Sequence, residues 1–363
     1  VAPWWAENSK EAYSSGLDAL ARALKNYADS KRGRRAGQRV GFPRFKKRGR
    51  CRAACRFTTG PLRVEPDRHH VTLPRLGAIK THESTRKLAR RIEPGTARIL
   101  AATISRTADR WYVSFTVEVD RQLPVGAGRA RVVGVDAGIR HLAVLSTGQT
   151  VDNPRALQRS LRRLRTANRA HTRTQPDSAG RRKAAARLAR LHARVANVRR
   201  DALHKLTTTL ATTAGTVVVE DLNVAGMARN RRIARALADT GMAELRRQLT
   251  YKTRWYGSVL VVADRWYPSS KTCSACGLVK AKLALAERRF TCEACGLVLD
   301  RDLNAARNLA GLVQQVAGSG PETQNARGAD RKTPPAGQVA AKREPRAAPA
   351  GKTGTAASQD AAD

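Results

Sequence analysis

The apolar positions of this chain begin with a helical period. Asn8 and Glu11 are spaced as the two ends of a capping box, with Asn8 as the N-cap. The next apolar residues recur at intervals of three and four, which predicts one face of an α-helix: Tyr13, Leu17, Leu20, Leu24 and Tyr27. Trp4 and Trp5 precede this helix, either as a cap on a core or as surfaces for base stacking.

The pattern changes to short runs of β-branched and aromatic residues over residues 57–120. The runs cover 71–73, 97–104 and 111–119, and turn-like stretches separate them. This region therefore predicts a small antiparallel β-barrel. His69 and His70 have no partners at metal-ligand spacing, so we interpret them as surface residues.

From residue 131 onward, apolar strands end in carboxylates. Val132–Asp136 and Thr216–Glu220 are both apolar runs closed by an acid, and 259–262 is a further run of the buried type. Between the first two runs, leucine-rich stripes predict a helical hairpin over 154–208 with a break at 175–180. Strands that alternate with helices indicate a multidomain α/β protein.

The charge of the chain points to a polyanionic partner. Its 69 Lys and Arg residues against 29 acidic residues give a net charge of +40 and a pI near 11.5. Nucleic acid is the partner that offsets such an excess, and an anionic membrane is the weaker alternative because the sequence has no long apolar run or lipidation motif. The absence of a recognisable secretory segment favours a bacterial cytoplasmic, nucleoid-associated location.

Two basic regions are candidates for nucleic-acid contact. A linker in which Phe42 and Phe45 interleave with basic residues suits a phosphate backbone and neighbouring bases. The hairpin carries fifteen Arg and Lys residues between positions 155 and 200 against one acid, Asp177. The candidate contact residues are Arg44, Lys46, Lys47, Arg162, Arg163, Arg181 and Arg182.

Four cysteines near the C-terminal end predict one structural zinc ion. Cys273 and Cys276 form one Cys-x-x-Cys pair, and Cys292 and Cys295 form a second pair after fifteen intervening residues. A glycine after each second cysteine permits the positive φ of the turn. A redox pair or four ordinary thiols are the rival readings, and a closed four-cysteine site leaves no open position for catalysis.

Three carboxylates form the candidate catalytic site. Asp136 and Glu220 end strands that can be neighbours in one sheet, and Asp302 follows the cysteine segment. A strand-end carboxylate is by itself usually a cap or an ion-pair partner. Three together repel one another unless cations neutralise them, and oxygen ligands suit Mg²⁺ or Mn²⁺. Two such ions would support hydrolysis of a phosphodiester.

These motifs, in this order, resemble the OrfB/TnpB family of insertion-sequence proteins, relatives of the type V CRISPR effectors. The segments 134–143, 219–223 and 300–308 resemble the three RuvC motifs, and the paired cysteines resemble the zinc ribbon before the third. Pro3-Trp-Trp, Ser9 to Tyr13 and Gly41 to Lys46 resemble the family's upstream pattern.

The resemblance implies RNA-guided DNA cleavage at an RNase H-like RuvC site. It implies a guide RNA and double-stranded DNA as partners, a monomer or homodimer, and Asp136, Glu220 and Asp302 as the acidic triad, with Asp300 the less favoured third member. The implied organisation is listed in chain order: a helical recognition segment (1–35), a wedge-like β-barrel with basic linker (36–130), a RuvC-like core (131–272), a zinc ribbon (273–296), the last motif and helix (297–316) and a disordered tail (317–363).

Two other functions remain open from the sequence. A transposase that acts directly on element ends needs a nucleophilic tyrosine, and Tyr251, Tyr256 and Tyr267 all lack a His-hydrophobe-His setting. A non-catalytic or inactive nucleic-acid-binding regulator of transposition needs only the zinc site and the basic regions. The carboxylate set argues against this regulator, because a pure binder gains nothing from three acids in a basic surface.

Overall fold

The computed structural model describes residues 9–45, 51, 53–120, 131–284 and 286–318. Two compact units divide the chain, Val1–Gln314 and Gln315–Asp363. Trp4, Trp5, Lys46, Lys47 and nearly all of the predicted disordered tail lie outside the described residues. Within the described residues, no helix is long and apolar enough to span a bilayer.

The N-terminal helix is confirmed, but its predicted cap is wrong. Helix α1 (Lys10–Lys31) begins at Ser9, whose side chain accepts a hydrogen bond from the Glu11 backbone N–H at 3.3 Å. The Glu11 carboxylate accepts hydrogen bonds from the hydroxyl groups of Thr58 (2.7 Å) and Thr59 (2.6 Å), and Asn8, the predicted N-cap, lies outside the described residues. Glu11 is thus buried against the segment that follows the first strand. Three residues of the predicted apolar face stay exposed: Leu17, Leu20 and Leu24.

The next region forms two antiparallel sheets of three strands each. One sheet has the order β1-β5-β6 and the other β2-β3-β4. They pack through Val71, Leu73 and Ala102, with Ile104 and Phe115 beside them. The bounds are β1 (Ala54–Phe57), β2 (Arg63–Val64), β3 (His70–Leu73), β4 (Gly77–Lys80), α2 (Arg86–Ile92), β5 (Ala97–Thr107) and β6 (Arg110–Val119).

The predicted closed barrel is not formed by the described residues. A barrel requires a hydrogen-bonded neighbour on both sides of every strand. Strand β2 has only two residues, and β1 and β4 have four each, so these edges are too short to join the ten- and eleven-residue strands β6 and β5 into a ring. The two sheets therefore face each other as separate layers.

A mixed five-stranded sheet forms the centre of the molecule, in the order β11-β10-β7-β8-β9. Strand β10 runs parallel to both β7 and β11, and β8 runs antiparallel to β7. The predicted hairpin is confirmed as α3 and α4, and α4 packs on the sheet together with α7 through Leu203, Leu210 and Leu249. The bounds are β7 (Val132–Asp136), β8 (His141–Leu145), β9 (Thr150–Asp152), α3 (Ala156–Arg173), α4 (Ala179–Thr213), β10 (Thr216–Glu220), α5 (Val224–Met227), α6 (Ala234–Thr240), α7 (Met242–Tyr256) and β11 (Val259–Ala263).

The chain then makes a small hairpin and a last helix. Strands β12 (Arg289–Thr291) and β13 (Val298–Asp300) are antiparallel, and α8 (Arg301–Gly318) follows directly. Helix α8 packs on the other face of the central sheet, where Leu309 is buried with Val218 and Ala263. The observed architecture is a mixed α/β fold, as the sequence predicted.

Candidate carboxylate site and cysteine cluster

Two of the three predicted carboxylates end adjacent parallel strands. Val135 of β7 lies opposite Val219 of β10, so Asp136 and Glu220 are the next residues along this register. The valines before them, Val135 and Val219, are buried in the sheet. Because the two strands are parallel and in register, both acids lie at the same end of the sheet. Both acids are half-buried.

The third carboxylate reaches this edge because α8 lies directly on β7. A Cβ atom added at Gly134 would meet the Ala306 carbonyl oxygen at 2.0 Å and the Ala310 nitrogen at 2.6 Å. Only a glycine permits backbone contact this close. Asp302 lies one helical turn before Ala306, and Asp136 lies two residues after Gly134. The contact therefore brings Asp302 toward the end of β7 that carries Asp136.

The pKa of Asp136 is affected by both of the other predicted carboxylates. Burial is the main cause that raises its pKa, from 3.8 to about 8, and the charges of Glu220 and Asp302 raise it further. The nearby Arg301 opposes this shift. Asp136 therefore holds a proton at neutral pH unless a cation replaces it.

Glu220 has a fixed orientation at the edge of the sheet. The Ser269 hydroxyl donates a hydrogen bond to its Oε1 atom. Ser269 follows β11 and lines a cavity of about 320 Å³ together with Glu220 and the exposed Trp266. Glu220 thus points one oxygen at a neighbouring side chain and lies beside open space.

Asp300 has a different role from its neighbour Asp302. Its Oδ1 atom accepts hydrogen bonds from the backbone N–H groups of Asp302 (2.9 Å) and Leu303 (3.1 Å). Asp300 therefore caps the first turn of α8. Asp302 lies in this first turn and stays the proposed third carboxylate.

The four cysteines form a compact cluster. The Sγ atoms of Cys273, Cys276, Cys292 and Cys295 all lie within 4.8 Å of one another. Gly277 and Gly296 have φ values of +79° and +73°, as the turns predicted. Backbone N–H groups, chiefly that of Cys295, lower the pKa of Cys292 to about 6. Four thiol donors at this separation fit a tetrahedral Zn²⁺ site.

The carboxylates do not form so tight a group. Among the described residues, the four cysteines are the cluster of metal-binding side chains whose ligand atoms come within 4.8 Å of one another. Within the cysteine cluster, the Sγ atoms of Cys276 and Cys292 lie 3.5 Å apart and those of Cys273 and Cys295 lie 3.6 Å apart. The cysteines are therefore the more compact of the two ligand sets.

Two asparagines to which we assigned no role from the sequence join α8 to the residues at and just before the first cysteine turn. Asn304 Nδ2 donates to the Thr272 carbonyl (2.7 Å), and its Oδ1 accepts from the Ser274 N–H (3.0 Å). Asn308 Nδ2 donates to the carbonyls of Ser269 (2.7 Å) and Thr272 (2.6 Å). Both are buried. Their spacing of four residues on one helix face was the sequence signal that could have identified them.

Five of the predicted nucleic-acid contacts lie within the described residues. Arg44 in the linker, Arg162 and Arg163 on α3, and Arg182 are exposed, whereas Arg181 is half-buried. Arg181 also donates to the Thr174 carbonyl (2.9 Å) and Arg182 to the Asp177 carbonyl (3.1 Å), so both hold the turn of the hairpin. The structure gives Arg181 and Arg182 a local role that their charge did not reveal.

Two protein-family models match the chain. Residues 114–231 match OrfB_IS605, described as "Probable transposase". Residues 243–309 match the model described as "Cas12f1-like, TNB domain". The first match includes Asp136 and Glu220, and the second includes the four cysteines and Asp302.

Curated relatives are similar over most of their length. The chain is 45% identical over 346 residues to "Putative RNA-guided DNA endonuclease Rv2885c" of Mycobacterium tuberculosis (strain ATCC 25618 / H37Rv), which covers 92% of this chain and 75% of the relative. It is 31% identical over 339 residues to "Putative RNA-guided DNA endonuclease InsQ" of Escherichia coli (strain K12), which covers 89% and 79%. The cryo-EM structure of "the Cas12f1-sgRNA-target DNA complex" matches with a TM-score of 0.49 at 15% identity, over 80% of this chain and 69% of that chain.

Proposed function

Because this chain belongs to the OrfB/TnpB family, we propose that it cleaves DNA under the direction of a bound guide RNA. The names of the relatives support this activity, and the net charge of +40 supports two nucleic-acid partners. In such enzymes base pairing with the RNA selects the target, while the protein binds the backbone and a short flanking motif.

The proposed nuclease site consists of Asp136, Glu220 and Asp302. The observation that carries it is the convergence of two parallel strand ends with α8, enforced by the contact of Gly134 with Ala306. The reaction adds water across a phosphodiester: a water oxygen bonds to phosphorus, the bond to one ester oxygen breaks, and that oxygen leaves with a proton.

The donor set fits divalent cations. All three proposed ligands are carboxylates that are only partly buried, and oxygen ligands of this kind suit divalent cations. Mg²⁺ or Mn²⁺ ions held there would activate the attacking water and neutralise the leaving oxygen. The hydrogen bond from Ser269 orients Glu220, and Asp136 would bind a cation as the carboxylate.

The cysteine cluster is proposed as a structural zinc ribbon over 273–296. A site with four cysteine ligands is closed, so Zn²⁺ there would stabilise the segment without touching substrate. On α8, Asn304 bonds to Ser274 within this segment, and Asn308 bonds to Thr272 directly before it. The ribbon therefore supports the helix that carries Asp302.

The remaining organisation is proposed from the order of the elements. Residues 1–35 would recognise nucleic acid, 36–130 would act as a wedge, and 131–272 with 297–316 would form the RuvC-like, RNase H-like core. Arg44, Arg162 and Arg163 are exposed and would contact phosphates, as would Lys46 and Lys47.

One experiment tests the proposed function directly. RNA that copurifies with the protein is sequenced, and the loaded protein is offered a library of DNA targets that match this RNA. We expect metal-dependent cleavage of matched targets by wild type and none by Asp136→Ala. Bound RNA without cleavage would favour the non-catalytic regulator, and cleavage without RNA would contradict guidance.

A further inference from the structure

A cleft rich in arginine lies at the edge of the central sheet. Its volume is about 550 Å³, and it is lined by five arginines and one acid: Arg140, Arg155, Arg232, Arg235, Arg288 and Asp239. The arginines come from four parts of the chain, namely the turn after β7, the start of α3, the α6 region and the segment before β12. All five are exposed.

The single acid in this cleft does not neutralise the arginines. Asp239 is buried, and its two oxygens accept hydrogen bonds from the backbone N–H groups of Leu157 (2.8 Å) and Gln158 (3.0 Å). It therefore serves the N-terminal turn of α3. Within the described part of the chain, none of the five guanidinium groups forms an ion pair. Five like charges around one space favour a polyanion as the occupant.

The cleft adjoins the segments that carry Asp136 and Asp302. Arg140 lies four residues after Asp136, in a turn fixed by a hydrogen bond from Asn153 Nδ2 to the Ile139 carbonyl (2.8 Å). Arg288 also lines the cleft, and its carbonyl accepts a hydrogen bond from the backbone N–H of Arg301 (2.8 Å), directly before Asp302. The cleft therefore shares segments with both carboxylates, so phosphates bound there would belong to a strand close to them.

We propose that this cleft binds the sugar–phosphate backbone of the DNA strand that is cut. Guanidinium groups match phosphate oxygens in bidentate geometry, and a row of them fixes the strand without reading its bases. The position beside both carboxylate segments favours the substrate strand over the guide RNA, which has no need to approach the nuclease site. This inference rests on the proposed function for the identity of the strand.

The test compares two triple variants made in the full chain with Asp136→Ala, which removes cleavage from the measurement. The cleft variant is Arg140→Gln, Arg232→Gln and Arg235→Gln. The control variant removes the same charge from α2 with Arg86→Gln, Arg90→Gln and Arg91→Gln, all exposed and outside the cleft. Each protein is titrated with a short fluorescent single-stranded DNA of mixed sequence over a range of salt, and its copurifying RNA is quantified.

We expect the cleft variant to lose about tenfold or more in DNA affinity and the salt slope to fall by about 2, because each single-strand phosphate contact contributes roughly 0.7. Its copurifying RNA should match that of the control. Equal loss of RNA would assign the cleft to the guide, and unchanged DNA affinity would mean that the cleft holds no strand. Either result overturns the proposal.

A charge-preserving variant guards against a folding artefact. Arg140→Lys, Arg232→Lys and Arg235→Lys should keep the wild-type Tm and salt slope and lose only part of the DNA affinity, because the charge is kept while the bidentate contacts are lost. Loss equal to that of the Gln variant would contradict an electrostatic site. The DNA titration does not need cleavage or guidance, so it reports on the cleft even if the proposed nuclease activity fails.

Discussion

The four cysteines and the three carboxylates are both small sets of ligand side chains, yet they are assembled differently. The cysteines come from two short turns, the second of which connects β12 and β13, and their Sγ atoms lie within 4.8 Å of one another. The carboxylates come from two strands and a helix spread over 166 residues, from Asp136 to Asp302. One site is defined by local turns and the other by packing.

Because of this difference, the two sites depend on different contacts for their geometry. Two of the cysteines, Cys273 and Cys292, are buried beside Phe290, so the cluster has apolar packing of its own. The carboxylates carry like charges in a partly dry environment, which raises the pKa of Asp136 to about 8. Their arrangement depends on contacts away from the ligands, at Gly134, Ser269, Asn304 and Asn308.

The largest expected effect is the loss of a carboxylate. Asp136→Ala, Glu220→Ala or Asp302→Ala should each lower the cleavage rate by roughly 10³-fold or more, because the ligands act as a coupled unit. Affinity for nucleic acid should persist, since phosphate contacts elsewhere supply it. Single-turnover cleavage of a guide-matched DNA measures the rate.

Asp300→Ala is the matched control, because Asp300 caps α8 and should cost only about 1 kcal/mol of stability. Comparable cleavage by Asp136→Ala would rule out the proposed RuvC-like site. A variant at any of the three positions that lost binding alone would indicate a structural role for the carboxylates.

Local patterns explain how much of this was visible in the sequence. The central strands, the α3–α4 hairpin and the cysteine turns with Gly277 and Gly296 were predicted because neighbouring residues determine them. The Asn8 cap was wrong, since Ser9 has that role and Glu11 is drawn to Thr58 and Thr59. A side chain that finds a partner distant in sequence overrides a local motif.

The features missed by the sequence are all tertiary. Gly134 is one glycine among 27, and only the approach of α8 reveals its function. The barrel prediction failed because strand patterns specify alternation but not the pairing of edges. The arginine cleft gathers residues between 140 and 288, which charge counting along the chain cannot group.

The second largest effect is expected at Gly134. Gly134→Ala would place a Cβ at 2.0 Å from the Ala306 carbonyl, so α8 must move away from β7. We expect a loss of about 3 kcal/mol in the free energy of unfolding, with cleavage reduced further because Asp302 moves with the helix. Chemical denaturation and cleavage assays measure the two effects.

Gly311→Ala on the same helix is the control. A Cβ there meets nothing within 4 Å, so the substitution should be neutral or stabilise the helix by up to about 1 kcal/mol. Equal behaviour of the two variants would show that the α8–β7 contact does not hold the carboxylate site together.

Removal of a cysteine is expected to affect metal content and cleavage, with a smaller effect on the central sheet. Cys292→Ser should abolish binding of about one Zn²⁺ per chain and lower cleavage, because Asn304 of α8 bonds to Ser274 in the ribbon and Asn308 to Thr272 directly before it. The sheet itself should remain folded. Metal content by mass spectrometry and far-UV circular dichroism test both parts, and Cys51→Ser, at an exposed cysteine outside the cluster, should keep the metal.

The last effect expected is a pH dependence of the folding stability of the metal-free protein. The folded-state pKa of Asp136, about 8, exceeds its ordinary value of 3.8, so the folded state binds more protons and stability falls as pH rises between these values. Asp136→Asn should remove this fall in stability and raise the Tm at pH near 9, with little change near pH 4.

Asp221 has the opposite effect on how stability depends on pH, because hydrogen bonds from Arg246 and then Arg265 lower its pKa. Asp221→Asn should therefore lower the Tm at neutral pH and lose its effect in acid. Thermal melts of both variants in chelator across pH provide the measurement. A Tm of Asp136→Asn that follows wild type at every pH would show that burial and the neighbouring carboxylates do not raise the pKa of Asp136.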